Sequence, residues 1–127
     1  MSSKSKGKDN ASKFDFSYKN TVWANVTLSA EDTAEVIERA KDVTENLGDM
    51  LSLFASGCNI SLKHRADGTT VSVVAIFAAG VHGNNPTGLS AFAPDAQTAV
   101  SALLYKYFVV ADSRLADYVS SSSSRIG

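Results

Sequence analysis

Residues 80–111, GVHGNNPTGLSAFAPDAQTAVSALLYKYFVVA, decide the fold class that this chain is expected to adopt. A glycine-rich loop leads into a short extended run, GLSAFA, and then into a helix whose first turn contains Pro94, a position where proline is tolerated. The apolar residues of that helix recur at steps of three and four along one face: Ala96, Ala99, Val100, Leu103, Leu104 and Tyr107. The stretch therefore predicts a loop, a strand and an amphipathic helix in succession.

A β-hairpin is predicted immediately upstream. In NISLKHR, the side chains of Ile60 and Leu62 point to one side, and those of Lys63 and Arg65 to the other. Asp67-Gly68 is a strong hairpin signal, because a tight type I′ turn needs positive φ at its centre. Residues 71–79 are apolar on both faces, which indicates a strand in the middle of a sheet.

The first half of the chain supplies one strand and one long helix. Residues 20–29, NTVWANVTLS, alternate between apolar and other side chains, and Ser29 is a suitable N-cap for the helix that follows. The pattern predicts a single helical face up to Gly57, with a break near Gly48 left open. Taken together, these strands and helices predict an α+β fold: a single antiparallel sheet in β-α-β-β-β-α order, with both helices packed on one face.

Composition divides the chain into one domain and two tails. Residues 1–13 are rich in serine and lysine and lack large apolar groups, so we predict a disordered basic arm there. Residues 14–118 form the predicted α+β domain, a usual domain length. Residues 119–127 form a predicted flexible serine-rich tail. The arm is interpreted either as a solubilising tail or as a segment that contacts phosphates.

Charge and hydropathy narrow the class of protein. The net charge is −1, unlike that of strongly basic nucleic-acid-binding domains. Residues 1–19 lack the apolar stretch of a signal peptide, so we expect none. No window approaches the ~18 consecutive apolar residues of a membrane span. The single cysteine excludes an internal disulfide. We expect a cytoplasmic protein that does not associate with membranes. If a phage encodes it, the cytoplasm is that of the host cell.

Residues suited to catalysis or to metal binding do not form a recognisable motif. The glycines of the 80–88 loop lack the Lys-Ser or Lys-Thr of a P-loop. Cys58, His64 and His82 stand at unrelated positions and match no metal-ligand spacing. We therefore predict no enzymatic activity, no cofactor and no metal site.

The polar face of the hairpin is the candidate binding site. If the helices cover the other face of the sheet, Lys63 and Arg65 lie on the open side, joined there by Trp23 and Phe92. Cations that follow phosphates and rings that stack on bases are what a single-strand platform needs. The alternative is an ordinary solvated sheet face, because a one-residue error in register moves every side chain to the other side.

Two further residues are assigned to the same site. Lys19 follows the basic arm, and His82 would present its ring from the glycine-rich loop. The predicted nucleic-acid-binding residues are therefore Lys19, Trp23, Lys63, Arg65 and His82. For the loop itself, the competing interpretation is a flexible connection between two strands.

Residues 59–110 resemble the β-β-β-α unit of double-stranded-RNA-binding domains and of HicB-like antitoxins. The resemblance rests on topology and on the helix that follows a glycine-started strand, GLSAFAPDAQTAVSALLYKYF. In double-stranded-RNA-binding domains the last helix opens with lysines, whereas this chain has PDAQT with Asp95. The Lys/Ser arm, FDFSYKN and the short core also resemble small bacteriophage accessory proteins, some of which bind single-stranded DNA.

These observations favour a non-enzymatic protein that binds single-stranded nucleic acid, most of all DNA, through the open sheet face and the basic arm. With a net charge of −1, such a domain needs oligomerisation to multiply its sites, so a homo-oligomer is expected. The alternative is a protein-interaction or assembly module, antitoxin-like or a phage inhibitor of a host factor. It would use edge strands and the acidic predicted helix, residues 31–49.

Overall fold

A computed structural model describes residues 20–119 of the chain. The predicted basic arm, residues 120–127 of the predicted C-terminal tail, and Lys19 lie outside the described residues. None of the helices within 20–119 is long and apolar enough to cross a membrane.

The described residues form one sheet and three α-helices, which confirms the α+β class. The strands are β1 (Val22–Trp23), β2 (Cys58–His64), β3 (Val71–Phe77) and β4 (Thr87–Ala93). The helices are α1 (Ala30–Arg39), α2 (Val43–Ala55) and α3 (Ala96–Tyr105). A π-helical turn (Lys106–Val110) extends α3, and a 3-10 helix (Leu115–Tyr118) follows it.

The sheet is mixed and not wholly antiparallel as the sequence predicted. Its strand order is β1-β4-β3-β2, and β1 pairs with β4 in parallel while the other two pairings are antiparallel. The strand β1 is also shorter than the predicted alternating run. Past Trp23, the Ala24 N–H still donates to the Gly88 carbonyl at 2.9 Å, but the Asn25 N–H donates to the Tyr118 carbonyl at 2.9 Å. The Ser90 carbonyl, farther along β4, accepts from Lys106 Nζ at 2.9 Å.

The long helix of the first half breaks at residues 40–42 and not at Gly48. Asp42 provides the N-cap of α2, because its carboxylate accepts a hydrogen bond from the Glu45 N–H at 3.0 Å. The Asn46 side chain donates to the Arg39 carbonyl at 3.1 Å, which gives a hydrogen-bond partner to a main-chain carbonyl at the C-terminal end of α1. Capping thus decides where the chain turns, whereas Gly48 lies inside α2 with open space around it.

Helices α2 and α3 pack on one face of the sheet, as predicted for two helices, and α1 packs against α3 on the same side. Val73, Phe77 and Leu89 point towards them and are almost fully buried, together with Leu103 of α3 and Leu53 of α2. The Ser101 hydroxyl of α3 donates to the Val36 carbonyl of α1 at 2.8 Å in this buried layer. The opposite face of the sheet carries no helix among the described residues.

Candidate nucleic-acid interface

The register of the strands defines the open face, which is the side of the sheet away from the helices. Because side chains alternate along each strand, Val71, Val73 and Ala75 face the helices and the residues between them face outward. Lys63 on β2 pairs with Ser72 on β3, and Ser72 pairs with Phe92 on β4. These three side chains therefore form one row across the open face.

Phe92 is the most accessible aromatic residue of this row. Its side chain is 60% exposed, the highest value among the exposed large hydrophobic residues of the described chain. Its neighbours in the row are the hydroxyl of Ser72 and the exposed Lys63. A ring beside a cation offers both a stacking surface and a phosphate contact.

Arg65 lies just beyond the end of β2 and continues the same alternation. Its main-chain N–H donates to the Thr70 carbonyl at 2.9 Å, which extends the β2–β3 ladder. Two residues after Lys63, Arg65 therefore has its side chain on the open face as well. Asp67 is close by in the hairpin turn, where hydrogen bonds from Thr69 lower the pKa of its carboxyl below the usual value.

Trp23 occupies the opposite corner of the open face. It pairs with Gly88 of β4, which in turn pairs with Ile76 of β3. The indole lies against Gly88 so closely that a Cβ added there would be 2.5 Å from two of its ring carbons. Ile76 is only 3% exposed although it faces away from the helices. The Trp23 side chain is half-buried, with its ring against Gly88.

Trp23 and the two cations share a face but are not in contact. From Trp23 to Lys63 the path crosses three strand spacings and about four residues along the strands, a separation of roughly 20 Å. On the open face, Trp23 therefore lies at one corner, and Lys63 with Arg65 lie at the diagonally opposite corner. Phe92 lies on β4, at the same end of the sheet as the two cations.

Charge is distributed unequally between the two sides of the sheet. The strand residues that face outward from β2, β3 and β4 include Lys63 and no acidic residue. The helical side has an acidic groove of about 610 Å³ between α1 and α2, lined by Glu35, Glu38, Arg39, Lys41, Asp42, Glu45, Asn46 and Asp49. The cations in this groove are paired: Arg39 with Glu35 at 3.1 Å and Lys41 with Glu38 at 3.2 Å.

His82 does not join the other predicted site residues. Its Nε2 lies 3.1 Å from the Tyr107 hydroxyl, and its ring packs edge-on against Phe77 with the centroids 4.7 Å apart. Burial lowers the pKa of His82 below its usual value. Phe77 is at the end of β3 and faces the helices, about 17 Å along the strand from Ser72. His82 therefore lies away from the row formed by Lys63, Ser72 and Phe92.

Among the described residues, the side chains suited to nucleophilic or metal chemistry are not arranged as a site. Burial raises the pKa of Cys58 to about 12, so its thiol is a poor nucleophile near neutral pH. Within 20–119, no three histidine, cysteine, aspartate or glutamate residues are grouped as a metal site would require. A shallow recess of about 230 Å³ beside His82, Asn84 and Asn85 contains no charged lining residue.

Sequence reasoning missed two features of the molecule. The first is the contact between Trp23 and Gly88, for which the signal was a glycine inside a strand, often a site of close approach. The second is a row of exposed apolar residues on α2. The predicted helical face that ran from Val36 to Phe54 is buried at Val36 but about half exposed at Leu47 and Leu51.

Comparisons of this chain with protein-family models, with curated proteins and with solved structures found no match. The chemistry of the open face is therefore the basis on which a function can be assigned.

Proposed function

We propose that this chain is a non-enzymatic protein that binds single-stranded nucleic acid, most of all DNA, on the open face of its sheet. The observation that carries the proposal is the position of Lys63 in one row with Phe92, with Arg65 and Trp23 on the same face. Acidic side chains line the groove on the helical side instead. A polyanion would meet less repulsion on the open face than on the helical one.

The expected mode of binding combines two kinds of contact. Lys63 and Arg65 contact phosphates. For a single strand, each lost contact reduces the magnitude of the slope of log K against log salt concentration by about 0.7. Phe92 stacks on a base, a contact worth about 1–3 kcal/mol. Trp23, which is half-buried, contributes its exposed edge and reports on binding through its fluorescence. The basic arm, with Lys19 behind it, adds phosphate contacts along the strand.

A titration at low and moderate salt tests this proposal. The full chain is mixed with a labelled single strand of about 30 nucleotides, the matching DNA duplex and an RNA duplex of the same length. We expect anisotropy to rise for the single strand, with quenching of Trp23 and with an affinity that falls steeply as salt increases. If none of the three nucleic acids binds at low salt, the proposal is refuted.

Matched variants connect binding to the open face. Lys63→Ala and Arg65→Ala are expected to weaken binding and to reduce its salt dependence, and Phe92→Ala to weaken it about 5- to 150-fold with little change in salt dependence. Lys41→Ala is the control, since this exposed cation belongs to the acidic groove on the helical side. Equal losses for Lys41→Ala and Lys63→Ala would place binding elsewhere than on the open face.

The second candidate function is a protein-interaction or assembly module, such as an antitoxin-like protein or an inhibitor of a host factor. The observation in its favour is the exposed apolar row on α2, where Val43, Leu47 and Leu51 are each about half exposed. Binding at an apolar interface hardly responds to salt, whereas phosphate contacts weaken steeply. The same salt series therefore distinguishes the two functions.

A further inference from the structure

The free edge of β2 is the longest unpaired strand edge in the described part of the chain. β2 is the last strand of the sheet and has seven residues, whereas the other edge strand, β1, has two. Long exposed edges are templates for pairing with another strand and are usually blunted by prolines, bulges or inward charges. Cys58–His64 contains no proline and pairs with β3 without a bulge.

The hydrogen bonds at the two ends of the hairpin show which main-chain groups point to this edge. Arg65 N–H donates to the Thr70 carbonyl at 2.9 Å, and Ala78 N–H donates to the Gly57 carbonyl at 3.0 Å. In an antiparallel ladder such pairs recur at every second residue. The odd-numbered residues of β2 therefore bond to β3. The even-numbered ones direct their N–H and C=O groups outward: Cys58, Ile60, Leu62 and His64.

An apolar surface lies next to the same edge. We call it the α2 patch: Val43, Leu47, Leu51 and Phe54 of α2, and Leu62 of β2, each between 45% and 56% exposed. The spacing of the four helical residues places them on one side of α2. Val43, Leu47 and Leu62 also line an apolar groove of about 210 Å³ that α3 closes on its other side. The acidic residues of α2, such as Glu45 and Asp49, lie on its opposite side.

We propose that a second copy of this chain covers the free edge of β2 and the α2 patch, so that two four-stranded sheets join into one of eight strands. The two β2 strands run antiparallel about a two-fold axis at Ser61. This inference is independent of the proposed nucleic-acid binding, because it uses neither the cations nor the rings of the open face.

The sequence of β2 is self-complementary in this arrangement. Centring the pair on Ser61 brings all seven residues of each strand into register, and it places the outward main-chain groups of Ile60 opposite those of Leu62 in the other copy. On the helical side, Ile60 and Leu62 of the two copies meet. On the open side, Lys63 faces Asn59, so that no two like charges are directly opposite.

The size of the surface agrees with a dimer of two such chains. Five side chains that are each about half exposed present on the order of 500 Å² of apolar surface, as large as the largest patches on typical monomers. With the edge of a seven-residue strand added, the total approaches the ~800 Å² per partner of a standard interface. The patch contains no charged residue, which favours another apolar surface over a charged partner.

A disulfide trap at the two-fold axis tests the register directly. In the proposed dimer, Ser61 faces its own copy in a non-hydrogen-bonded pair with Cα atoms about 4.5 Å apart, within the range for a disulfide. Under mild oxidation, full-length Ser61→Cys should form a covalent dimer in high yield. Asn59→Cys, on the same face of the same strand, is the control, since its copy is about 13 Å away. Cys58 contributes little background because its thiol is buried.

Light scattering coupled to size exclusion supplies the second measurement. The wild-type chain should have the mass of a dimer, and Leu47→Glu with Leu51→Glu should convert it to a monomer. Val109→Glu is the control, because Val109 is an exposed apolar residue (41%) in the π-helical turn after α3 and does not belong to the α2 patch. A wild-type monomer, or a dimer in which Ser61→Cys does not cross-link more than Asn59→Cys, overturns the proposal. A monomer whose α2 patch is protected from solvent would point to residues 1–19 of the same chain as the occupant.

Discussion

At Gly88 the absence of a side chain lets the Trp23 ring lie directly against the sheet. A Cβ at this position would come within 2.5 Å of two ring carbons, so Gly88→Ala must displace the indole or the strand. We expect it to destabilise the fold by about 1–3 kcal/mol, the usual cost of overpacking. Chemical denaturation followed by Trp23 fluorescence measures this, and the emission of the folded variant should shift to longer wavelength as the ring becomes more exposed.

Gly48→Ala is the matched control for Gly88→Ala. Gly48 lies inside α2, has no heavy atom within 4 Å of an added Cβ, and has no positive φ. Alanine there is expected to stabilise the protein by about 0.5–1 kcal/mol, because it restricts the unfolded chain and favours the helix. If both variants had the same effect on stability, the close contact between Trp23 and Gly88 would be contradicted.

His82 is expected to make stability depend on pH. Burial lowers its pKa below the ordinary value of 6.5, so the unfolded chain binds a proton at a higher pH than the folded one does. The stabilisation is therefore complete above 6.5 and is lost as the pH falls from there through the folded-state pKa. The lowered carboxyl pKa values of Asp32, Asp67 and Asp95 act in a separate, more acidic range below 3.8.

Thermal denaturation between pH 8 and pH 5 measures this effect, in a range set by the ordinary histidine pKa of about 6.5. His82→Gln keeps a polar group opposite the Tyr107 hydroxyl and should flatten the dependence of Tm on pH. His64→Gln, at the exposed end of β2, is the control and should leave the dependence in place. A dependence that survives in His82→Gln would show that another group is responsible.

At the scale of the elements, a single carboxylate decides how the first half of the chain divides into two helices. Asp42 Oδ1 accepts from the Glu45 N–H at 3.0 Å and caps α2. Asp42→Ala leaves this N–H without its partner and is expected to destabilise the protein by about 1 kcal/mol. Urea denaturation measures the loss. Thr44→Ala, two residues later and exposed, should be neutral or slightly stabilising, and an equal loss there would contradict the role of the cap.

At the scale of the whole molecule, the proposed dimer and the proposed binding face reinforce each other. Joining the sheets at β2 would bring Lys63 and Arg65 of both copies to the middle of one continuous open face. A long single strand could then contact both copies, which raises its affinity by the effective concentration of the second site. A strand too short to reach both copies would gain nothing.

This arrangement predicts a length-dependent effect of dimerisation. Leu47→Glu with Leu51→Glu should weaken binding of a strand of about 30 nucleotides at least tenfold, but should hardly change binding of one of about 6 nucleotides. Anisotropy titrations of the two oligonucleotides measure the difference. Val109→Glu again serves as the control. An equal loss for both lengths would mean that α2 itself contacts the nucleic acid, and no loss for either would mean that the copies bind separately.

Several parts of the fold could be predicted from local patterns. The hairpin followed from alternation on either side of Asp67-Gly68, and the central position of β3 followed from its being apolar on both faces. The presence of Trp23, Lys63 and Phe92 on one face followed from alternation together with the assumption that the helices cover the other face. These features depend on residues that are near neighbours along the chain, where the periods of a strand and a helix are strict.

The features that the sequence did not determine share a physical cause. The direction of β1 depends on how the chain returns to Gly88 after two helices and two further strands. The site of the helix break depends on the cap that Asp42 forms with the Glu45 N–H. The position of His82 depends on Tyr107, twenty-five residues away along the chain. None of these has a signature in the residues next to it.

The sequence by itself determined the class of the fold, the order of its elements and the side to which each strand residue points, because these follow from periodicity and from turn chemistry. Only the tertiary structure decided that β2 is the free edge, that the α2 patch stays exposed beside it and that His82 lies away from the cations. These are matters of which distant surfaces meet. Burial of apolar area stabilises any close packing of apolar surfaces, because the hydrophobic effect has no direction. The spacing of apolar residues along a helix therefore cannot specify which of them the core will cover.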